Sequence, residues 1–153
     1  MAMSDDPQNP NDPYQLRRFL EAQQDNFEQA HREINQGRKL SHWMWYIFPQ
    51  FEGLGSSSTA RRYSIKSLEE AKAYLNHPVL GRRLLQCAEA VLKVEGRSAE
   101  QIFGYPDDLK LRSCATLFSS VLPAGSVFDR VLEKYYAGRR DEKTLQLLGN
   151  PNR

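Results

Sequence analysis

The sequence predicts a mainly α protein that folds as one compact multihelical domain. Three observations support this fold class. Apolar residues recur at helical spacing along most of the chain, polar residues suited to helix N-termini precede these segments, and no convincing apolar–polar alternation indicates a sheet. The chain has 153 residues, of which 40% are hydrophobic and 26% are charged, as in a single domain that can bury its own core.

Both ends of the chain are expected to lie outside this domain. Residues 1–12 are polar and rich in Pro, Asn and Asp, so they predict a disordered leader. The helical domain then spans residues 13–149, and residues 150–153 form a short tail. No segment has the run of about 18 apolar residues that a membrane span needs, and no signal sequence is evident. A cytoplasmic protein without a membrane partner is therefore expected.

The first predicted helix is long, and the second is short. Asp12 can cap the first helix and Gly37 can end it. Its apolar positions are Leu16, Phe19, Leu20, Phe27, Ala30 and Ile34. Ser41 can cap a second helix that runs through Phe48 and stops at Pro49. An extended segment is the alternative there, because Trp, Tyr, Ile and Phe all favour strands.

Capping signals mark the remaining helices. Residues 53–60, GLGSSSTA, predict a loop with exposed backbone N–H groups. Ser67 and Glu70 form a capping box for a helix over residues 68–76. The later helices are predicted from Pro78 to about Val94, from Pro106 to about Val121, from Ser126 to Gly138 and from Asp141 to Gly149, with a short turn from Ser98 to Gly104. At least six helices are therefore expected. The predicted core includes Phe19, Phe27, Leu84, Val91, Leu117 and Leu132.

Charge and motif content narrow the classes of function. The net charge is +2 and the four arginine doublets never merge into one dense run, so nucleic acid is not the expected partner. Cys87 and Cys114 lie on predicted helix faces, where free cysteines behave as small buried hydrophobes, so we expect two unlinked thiols. The chain lacks an HExxH motif, paired-cysteine spacing, a dinucleotide fingerprint and a Walker loop. The sequence therefore predicts no metal site and no cofactor.

Residues 42–51, HWMWYIFPQF, contain both tryptophans of the chain. If this stretch is helical, Met44, Ile47 and Phe48 share one face and form a core wedge. Other residues of the stretch are expected near the mouth of a pocket, namely His42, Trp45, Pro49 and Gln50. The alternative places Trp43 rather than Trp45 at the pocket.

A nucleotide-like ligand suits the residue types around this stretch. Aromatic rings can stack on a base, and the backbone N–H groups of the following glycine- and serine-rich loop can receive phosphate oxygens. The expected ligand-binding residues are His42, Trp45, Gln50, Gly53, Gly55, Ser57, Arg82 and Lys110. The candidate catalytic carboxylates are Asp107, Asp108 and Glu70, although a helix-start role accounts for each of them taken singly.

Three blocks of sequence carry a family resemblance. They are HWMWYIFPQFEGLGSSSTARRYSI, SLEEAKAYLNHPVLGRRLLQCAEAVL and IFGYPDDLKLRSCATLFSSV. In this order and spacing, over about residues 13–149, they resemble an uncharacterised bacterial domain family that often carries the misleading label calpastatin. The resemblance implies a single mainly helical domain, whereas a calpastatin-type inhibitor is a disordered repeat chain.

A more distant similarity concerns arrangement rather than motif. The chain is similar in arrangement to the NADAR group. The similar features are the aromatic block, Glu69 or Glu70 followed by Gly81 and Arg82, and Lys110 with Phe118. That superfamily is implicated in ADP-ribose and N-glycosidic chemistry. The similarity implies an ADP-ribose-like ligand without assigning catalytic residues.

Two hypotheses follow from the sequence. The first is a binder, or an enzyme that cleaves the N-glycosidic bond, of an ADP-ribose-like or other phosphorylated nucleoside. The second is a non-enzymatic domain that uses aromatic and arginine residues to contact a protein or a nucleic acid. A deep pocket with an aromatic ring, a cation and a carboxylate favours the first, and a flat exposed patch favours the second. The sequence predicts no oligomeric state.

Overall fold

Ten helices make up the regular structure of residues 10–149, the part of the chain that the computed structural model describes. They are α1 (Arg17–Gln23), α2 (Phe27–Asn35), α3 (Met44–Ile47), α4 (Ser58–Arg62), α5 (Leu68–Asn76), α6 (Leu80–Lys93), α7 (Ala99–Phe103), α8 (Asp107–Ser119), α9 (Val127–Tyr136) and α10 (Glu142–Leu147). Within these residues no strand forms, and one isolated parallel bridge joins Phe51 to Ile65. The mainly α prediction is confirmed. The expectations for residues 1–9 and 150–153 lie outside the described residues.

Helices α6 and α8 form the centre of the domain. α6 packs against α2, α5 and α9, while α8 packs against α7, α9 and α10. Residues 113–118 of α8 are all buried, so this part of the helix is enclosed on every side. Five of the predicted core residues are buried, namely Phe19, Leu84, Val91, Leu117 and Leu132. Phe27 is only half-buried, because its ring lies at the surface with the Arg83 guanidinium 4.9 Å from its centroid. No helix among the described residues is long and apolar enough to cross a membrane.

Polar N-caps fix where most of the later helices begin. The predicted capping box at the start of α7 forms in full, since Ser98 and Gln101 each accept the other's backbone N–H. At α5 only half of the predicted box forms. The Ser67 hydroxyl accepts the Glu70 N–H at 3.0 Å, but the Glu70 carboxylate accepts the Lys66 N–H at 2.9 Å instead of that of Ser67.

The prediction of one long first helix is wrong, because the segment divides into α1 and α2. The Asn26 side-chain amide donates to the Ala22 carbonyl at 3.0 Å. This bond occupies the carbonyl that a continuing helix would pair with the Asn26 backbone N–H. The Asp12 carboxylate does hold the start of α1, where it accepts the backbone N–H groups of Leu16 at 2.8 Å and Arg17 at 3.1 Å.

The stretch around α3 also differs from the prediction. The helix is shorter than expected, and Ser41 does not cap it, since the Ser41 hydroxyl donates to the Glu33 carboxylate at 2.7 Å. The predicted loop at residues 53–60 ends earlier than expected. Within it the Ser57 hydroxyl accepts the Ala60 N–H at 3.0 Å and so caps α4.

The junction between α5 and α6 explains two residues of the sequence HPVLG, namely His77 and Gly81. The His77 Nδ1 accepts the backbone N–H groups of Val79 at 3.1 Å and Leu80 at 3.2 Å, which caps the entry to α6. Burial lowers the pKa of His77 and so favours the neutral imidazole that this capping requires. A β-carbon added at Gly81 would lie 2.0 Å from the Leu75 carbonyl oxygen, so only glycine allows the two helices to approach this closely.

Both cysteines are unlinked and buried, as the sequence predicts. Cys87 lies on α6 and Cys114 on the enclosed part of α8. Burial raises the pKa of the Cys87 thiol to about 12 and that of Cys114 well above its ordinary value. Both groups therefore remain protonated at neutral pH and behave as apolar packing groups.

Candidate functional site, an aromatic cleft with two lysines

One cleft gathers residues from α3, the start of α4 and the start of α8. It has a volume of about 430 Å³. Its lining residues are Lys39, His42, Trp43, Met44, Trp45, Tyr46, Ser57, Thr59, Asp107 and Lys110. We call it the aromatic cleft. It brings together five of the candidate residues, namely His42, Trp45, Ser57, Asp107 and Lys110.

The charged centre of the aromatic cleft is one carboxylate held by two ammonium groups. Lys39 Nζ lies 2.8 Å from Asp107 Oδ2, and Lys110 Nζ lies 2.9 Å from Asp107 Oδ1. Burial raises the pKa of Asp107, but the hydrogen bonds and charges of the two lysines outweigh it, so the net shift is downward. Asp107 is therefore ionised at neutral pH. Two cations and one anion leave an excess positive charge, which favours an anionic ligand.

The two tryptophans play different parts in this cleft. Trp43 is buried, with 1% of its surface exposed, whereas Trp45 is half-buried. Lys110 Nζ lies 4.3 Å from the centroid of the Trp45 ring, and Lys39 Nζ lies 5.1 Å from that of Trp43. Each lysine therefore combines an ion pair with a cation–π contact. Trp45 is the tryptophan with ring surface available to a ligand.

The core wedge predicted on α3 is present. Met44, Ile47 and Phe48 are all buried, and the Phe48 ring packs at 6.0 Å from the Phe103 ring, centroid to centroid. Trp45 and Tyr46 of the same helical turn line the aromatic cleft, and Met44 contributes to both the core and the cleft.

Glu33 holds the loop that supplies Lys39, His42 and Trp43 to the cleft. Its buried carboxylate accepts five hydrogen bonds. The donors are the backbone N–H groups of Leu40 and Ser41, the Ser41 hydroxyl, the Trp43 indole N–H and the Gln29 amide. Burial raises the pKa of Glu33, but the hydrogen bonds prevail and lower it to about 2.

Sequence reasoning missed Glu33, although a signal for it was present. On α2 the buried residues are Ala30, Glu33 and Ile34, so the glutamate lies on the apolar face of the helix. A carboxylate on such a face needs nearby donors. A buried tryptophan needs an acceptor for its indole N–H, so Trp43 was a candidate partner for the Glu33 carboxylate.

The two glycines of the candidate loop do not line the aromatic cleft. A β-carbon added at Gly55 would approach the Trp45 ring to 2.8 Å, so this glycine lets the ring occupy its position. Gly53 faces Leu147 rather than the cleft. Gln50 is buried beside Trp45, and its side-chain Nε2 has no hydrogen-bond partner among the described residues. Pro49 is buried as well, so neither it nor Gln50 lines the mouth of the aromatic cleft.

The remaining candidates lie outside the aromatic cleft. Glu70 is buried in an ion pair with Arg18, whose Nη2 is 2.7 Å away. Arg82 is exposed on α6 and lines a separate groove between α2 and α6. Asp108 is half-buried, and its Oδ1 has no hydrogen-bond partner among the described residues. Among residues 10–149, no group of three or more His, Cys, Asp or Glu side chains is arranged to hold a metal ion.

The helices and the cleft define a small mainly α domain with a cationic, aromatic-lined site. The chain belongs to the family described as a protein of unknown function (DUF1810), whose model matches residues 13–148. It is similar to the conserved hypothetical protein Rv1873 from Mycobacterium tuberculosis, known from a crystal structure. The two are 51% identical with a TM-score of 0.88, and the match covers 90% of this chain and 99% of that chain. No curated protein matches this chain.

Proposed function

We propose that the aromatic cleft binds a phosphorylated nucleoside or an ADP-ribose-like ligand. The observation that carries this proposal is the pair of ammonium groups, from Lys39 and Lys110, that share Asp107 beside the Trp45 ring. The excess positive charge attracts a phosphate group, and the half-buried Trp45 ring offers an aromatic surface to a base. The volume of about 430 Å³ lies within the range of small-molecule sites.

Lys110 lies where both the phosphate and the base of such a ligand would bind. Its ammonium group now lies over the Trp45 ring at 4.3 Å. A phosphate that pairs with Lys110 competes with this cation–π contact and uncovers the ring face for a stacked base. Binding should therefore change the environment of one tryptophan, which makes intrinsic fluorescence a direct measurement.

Cleavage of an N-glycosidic bond is the finer form of the proposal, and the similarity to the NADAR group motivates it. Such a reaction passes through an oxocarbenium-like centre that a carboxylate stabilises. Asp107 is the carboxylate that lines the aromatic cleft. Both of its oxygens already contact ammonium groups, so the geometry supports ligand binding more directly than cleavage.

A thermal-shift titration tests the binding proposal. The panel contains a nucleoside monophosphate, ADP-ribose, NAD and the nucleoside without phosphate, all at one ionic strength. A ligand at one hundred times its Kd stabilises the folded state by about 2.7 kcal/mol, which raises the Tm of a domain of this size by about 5–10 °C. No shift with any phosphorylated member would contradict the proposal.

Matched variants locate the bound ligand. Trp45→Ala should remove most of the shift, whereas Trp45→Phe, which keeps an aromatic face, should retain part of it. Lys110→Ala should weaken only the phosphorylated ligands. Chromatography of ADP-ribose and NAD after incubation with the parent protein and with Asp107→Asn tests cleavage. Equal product from both proteins would exclude a role for Asp107 in that reaction.

A second candidate function is association with a second copy of this chain through the rim of the cleft. Three exposed apolar side chains lie on segments beside the Lys39–Asp107 ion pair, namely Leu40 (66% exposed), Tyr105 (73%) and Leu109 (43%). The Lys39 N–H donates to the Ile102 carbonyl at 2.7 Å, which joins these segments. Exposed apolar groups around a polar centre are typical of interfaces. Sedimentation velocity over a range of concentrations tests self-association, and Tyr105→Ser should abolish it.

A further inference from the structure

The aromatic cleft contains one carboxylate that is paired with two lysines in different surroundings. Asp107 Oδ2 faces Lys39 Nζ at 2.8 Å, and Asp107 Oδ1 faces Lys110 Nζ at 2.9 Å, so each carboxylate oxygen has its own ammonium group. The Lys39 side chain is 8% exposed, whereas that of Lys110 is 22% exposed. One lysine suffices to neutralise Asp107, so neutralisation alone does not explain the second.

Lys39 is the fixed partner of Asp107. Its backbone N–H donates to the Ile102 carbonyl at 2.7 Å, and its ammonium group lies 5.1 Å from the centroid of the buried Trp43 ring. The hydrogen bonds of Glu33 hold the loop that carries it. Separation of this pair would leave an uncompensated charge in the interior, which is strongly unfavourable. Lys39 and Asp107 therefore stay together when a ligand enters the cleft.

Lys110 is the exchangeable partner. It lies on the first turn of α8, three residues after Asp107, and its ammonium group lies over the half-buried Trp45 ring at 4.3 Å. Ion pairs and cation–π contacts at partly exposed positions each contribute little, so Lys110 can turn toward a ligand at small cost. Asp107 keeps Lys39 as its partner when this happens.

The Asp107 carboxylate opposes the same anion that Lys110 attracts. A phosphate oxygen and a carboxylate oxygen that share one ammonium group lie within about 6 Å of each other, because each is about 3 Å from the nitrogen. At that separation two negative charges repel each other appreciably in a partly buried site. A phosphate that binds Lys110 therefore has to compete with Asp107.

We propose that Asp107 is an internal counter-ion that competes with the ligand phosphate for Lys110, and that Lys39 is a positioning residue that holds Asp107. This inference rests on the proposed function, since it concerns how the phosphorylated ligand of the aromatic cleft is recognised. It assigns contact with the phosphate to Lys110 and not to Lys39. It also explains the second lysine, because Lys39 keeps Asp107 paired after Lys110 turns to the ligand.

A double variant of unchanged net charge tests this competition. Lys39→Met/Asp107→Asn removes one cation and one anion, and both substitutions keep side chains of similar size. Isothermal titration at constant ionic strength should show that it binds adenosine monophosphate about tenfold more tightly than the parent protein does. Both proteins should bind adenosine, which has no phosphate, equally. Arg17→Met/Glu21→Gln, which removes a surface ion pair on α1, is the control and should bind like the parent protein.

Single variants separate the role of Lys39 from that of Lys110. Lys110→Met should weaken the binding of adenosine monophosphate about tenfold, both in the parent protein and in the double variant. Lys39→Met should weaken it in the parent protein, because Asp107 then depends on Lys110 alone. The same change should have little effect in the presence of Asp107→Asn. A lysine that contacted the phosphate directly would weaken binding in both backgrounds.

Acetylation of lysines in the parent protein, followed by mass spectrometry, tests the inference without any substitution. Lys110 should react faster than Lys39, because its ammonium group is more exposed and exchangeable. Adenosine monophosphate should protect Lys110 more than Lys39. This measurement decides the question if the double variant does not fold.

The outcomes distinguish this inference from the proposed function. The inference alone is overturned if the parent protein binds adenosine monophosphate and the double variant binds it equally or more weakly. It is also overturned if Lys39 is acetylated as fast as Lys110. If neither protein binds adenosine monophosphate, the inference and the proposed function both fail. Binding that is detected only for the double variant supports the competition.

Discussion

The hydrogen bonds to Glu33 should make the stability of the protein acid-sensitive by a predictable amount. Its pKa falls from 4.5, the ordinary value, to about 2 in the folded protein. Because the pKa of Glu33 is lower in the folded protein, the ionised carboxylate stabilises the fold. This contribution is fully present above pH 4.5 and is lost as the pH falls toward 2. At 1.36 kcal/mol per pH unit, the shift corresponds to about 3 kcal/mol of unfolding free energy. That is a large part of the stability of a typical domain.

Urea unfolding of the parent protein and of Glu33→Gln, at several pH values between 7 and 2, measures this contribution. The difference in unfolding free energy between the two proteins should be largest at pH 7 and should shrink by about 3 kcal/mol as the pH approaches 2. Asp107 also has a lowered pKa, but it titrates in both proteins and cancels from the difference. Glu28→Gln, an exposed change on the same helix, is the control. A pH-independent difference between the parent protein and Glu33→Gln would refute the reasoning.

Three further predictions concern packing and the thiols. Phe48→Ala removes a fully buried ring and should lower the unfolding free energy by about 3–5 kcal/mol in urea titrations. Gly81→Ala should cost about 2 kcal/mol or more, because the new methyl group meets a backbone oxygen, while the neighbouring exposed change Arg82→Ala should stay within about 0.5 kcal/mol. Cys87 and Cys114 should resist a thiol reagent in the folded protein and should both react after unfolding without reductant.

Local signals made most of the later helices predictable from the sequence. An N-cap such as Ser98, Ser126 or Asp141 acts on backbone groups two or three residues away, so its effect is written in adjacent sequence. The division of the first helix shows the limit of this reasoning. The helical spacing of apolar residues continues past Asn26. The Asn26 side-chain amide nevertheless donates to the Ala22 carbonyl and interrupts the helix. The spacing of apolar residues does not reveal this competition between side chain and backbone for one carbonyl.

The candidate site was predictable in its residue types but not in its pairings. The sequence identified Trp45, Asp107 and Lys110 as candidates, and the structure gathers them in the aromatic cleft. It did not identify Lys39, which lies far from Asp107 along the chain and reaches it only through the packing of the loop before α3 against α7 and α8. Glu70 was a candidate as an available carboxylate, with the capping box as its alternative role, yet its carboxylate pairs with Arg18 from another helix. Contacts between distant segments depend on tertiary packing, which periodicity does not specify.

A continuous series of contacts connects the buried carboxylate of Glu33 to the surface of the aromatic cleft. Glu33 fixes the loop that carries Lys39, Lys39 pairs with Asp107, Asp107 pairs with Lys110, and Lys110 lies over the Trp45 ring. A helix-start role explains why a carboxylate suits the first turn of α8, but any acidic residue there would satisfy it. What that role leaves unexplained is the contact of both Asp107 oxygens with ammonium groups from two separate segments. Because this arrangement fixes two cations beside an aromatic face, its geometry fits anion recognition better than helix capping alone.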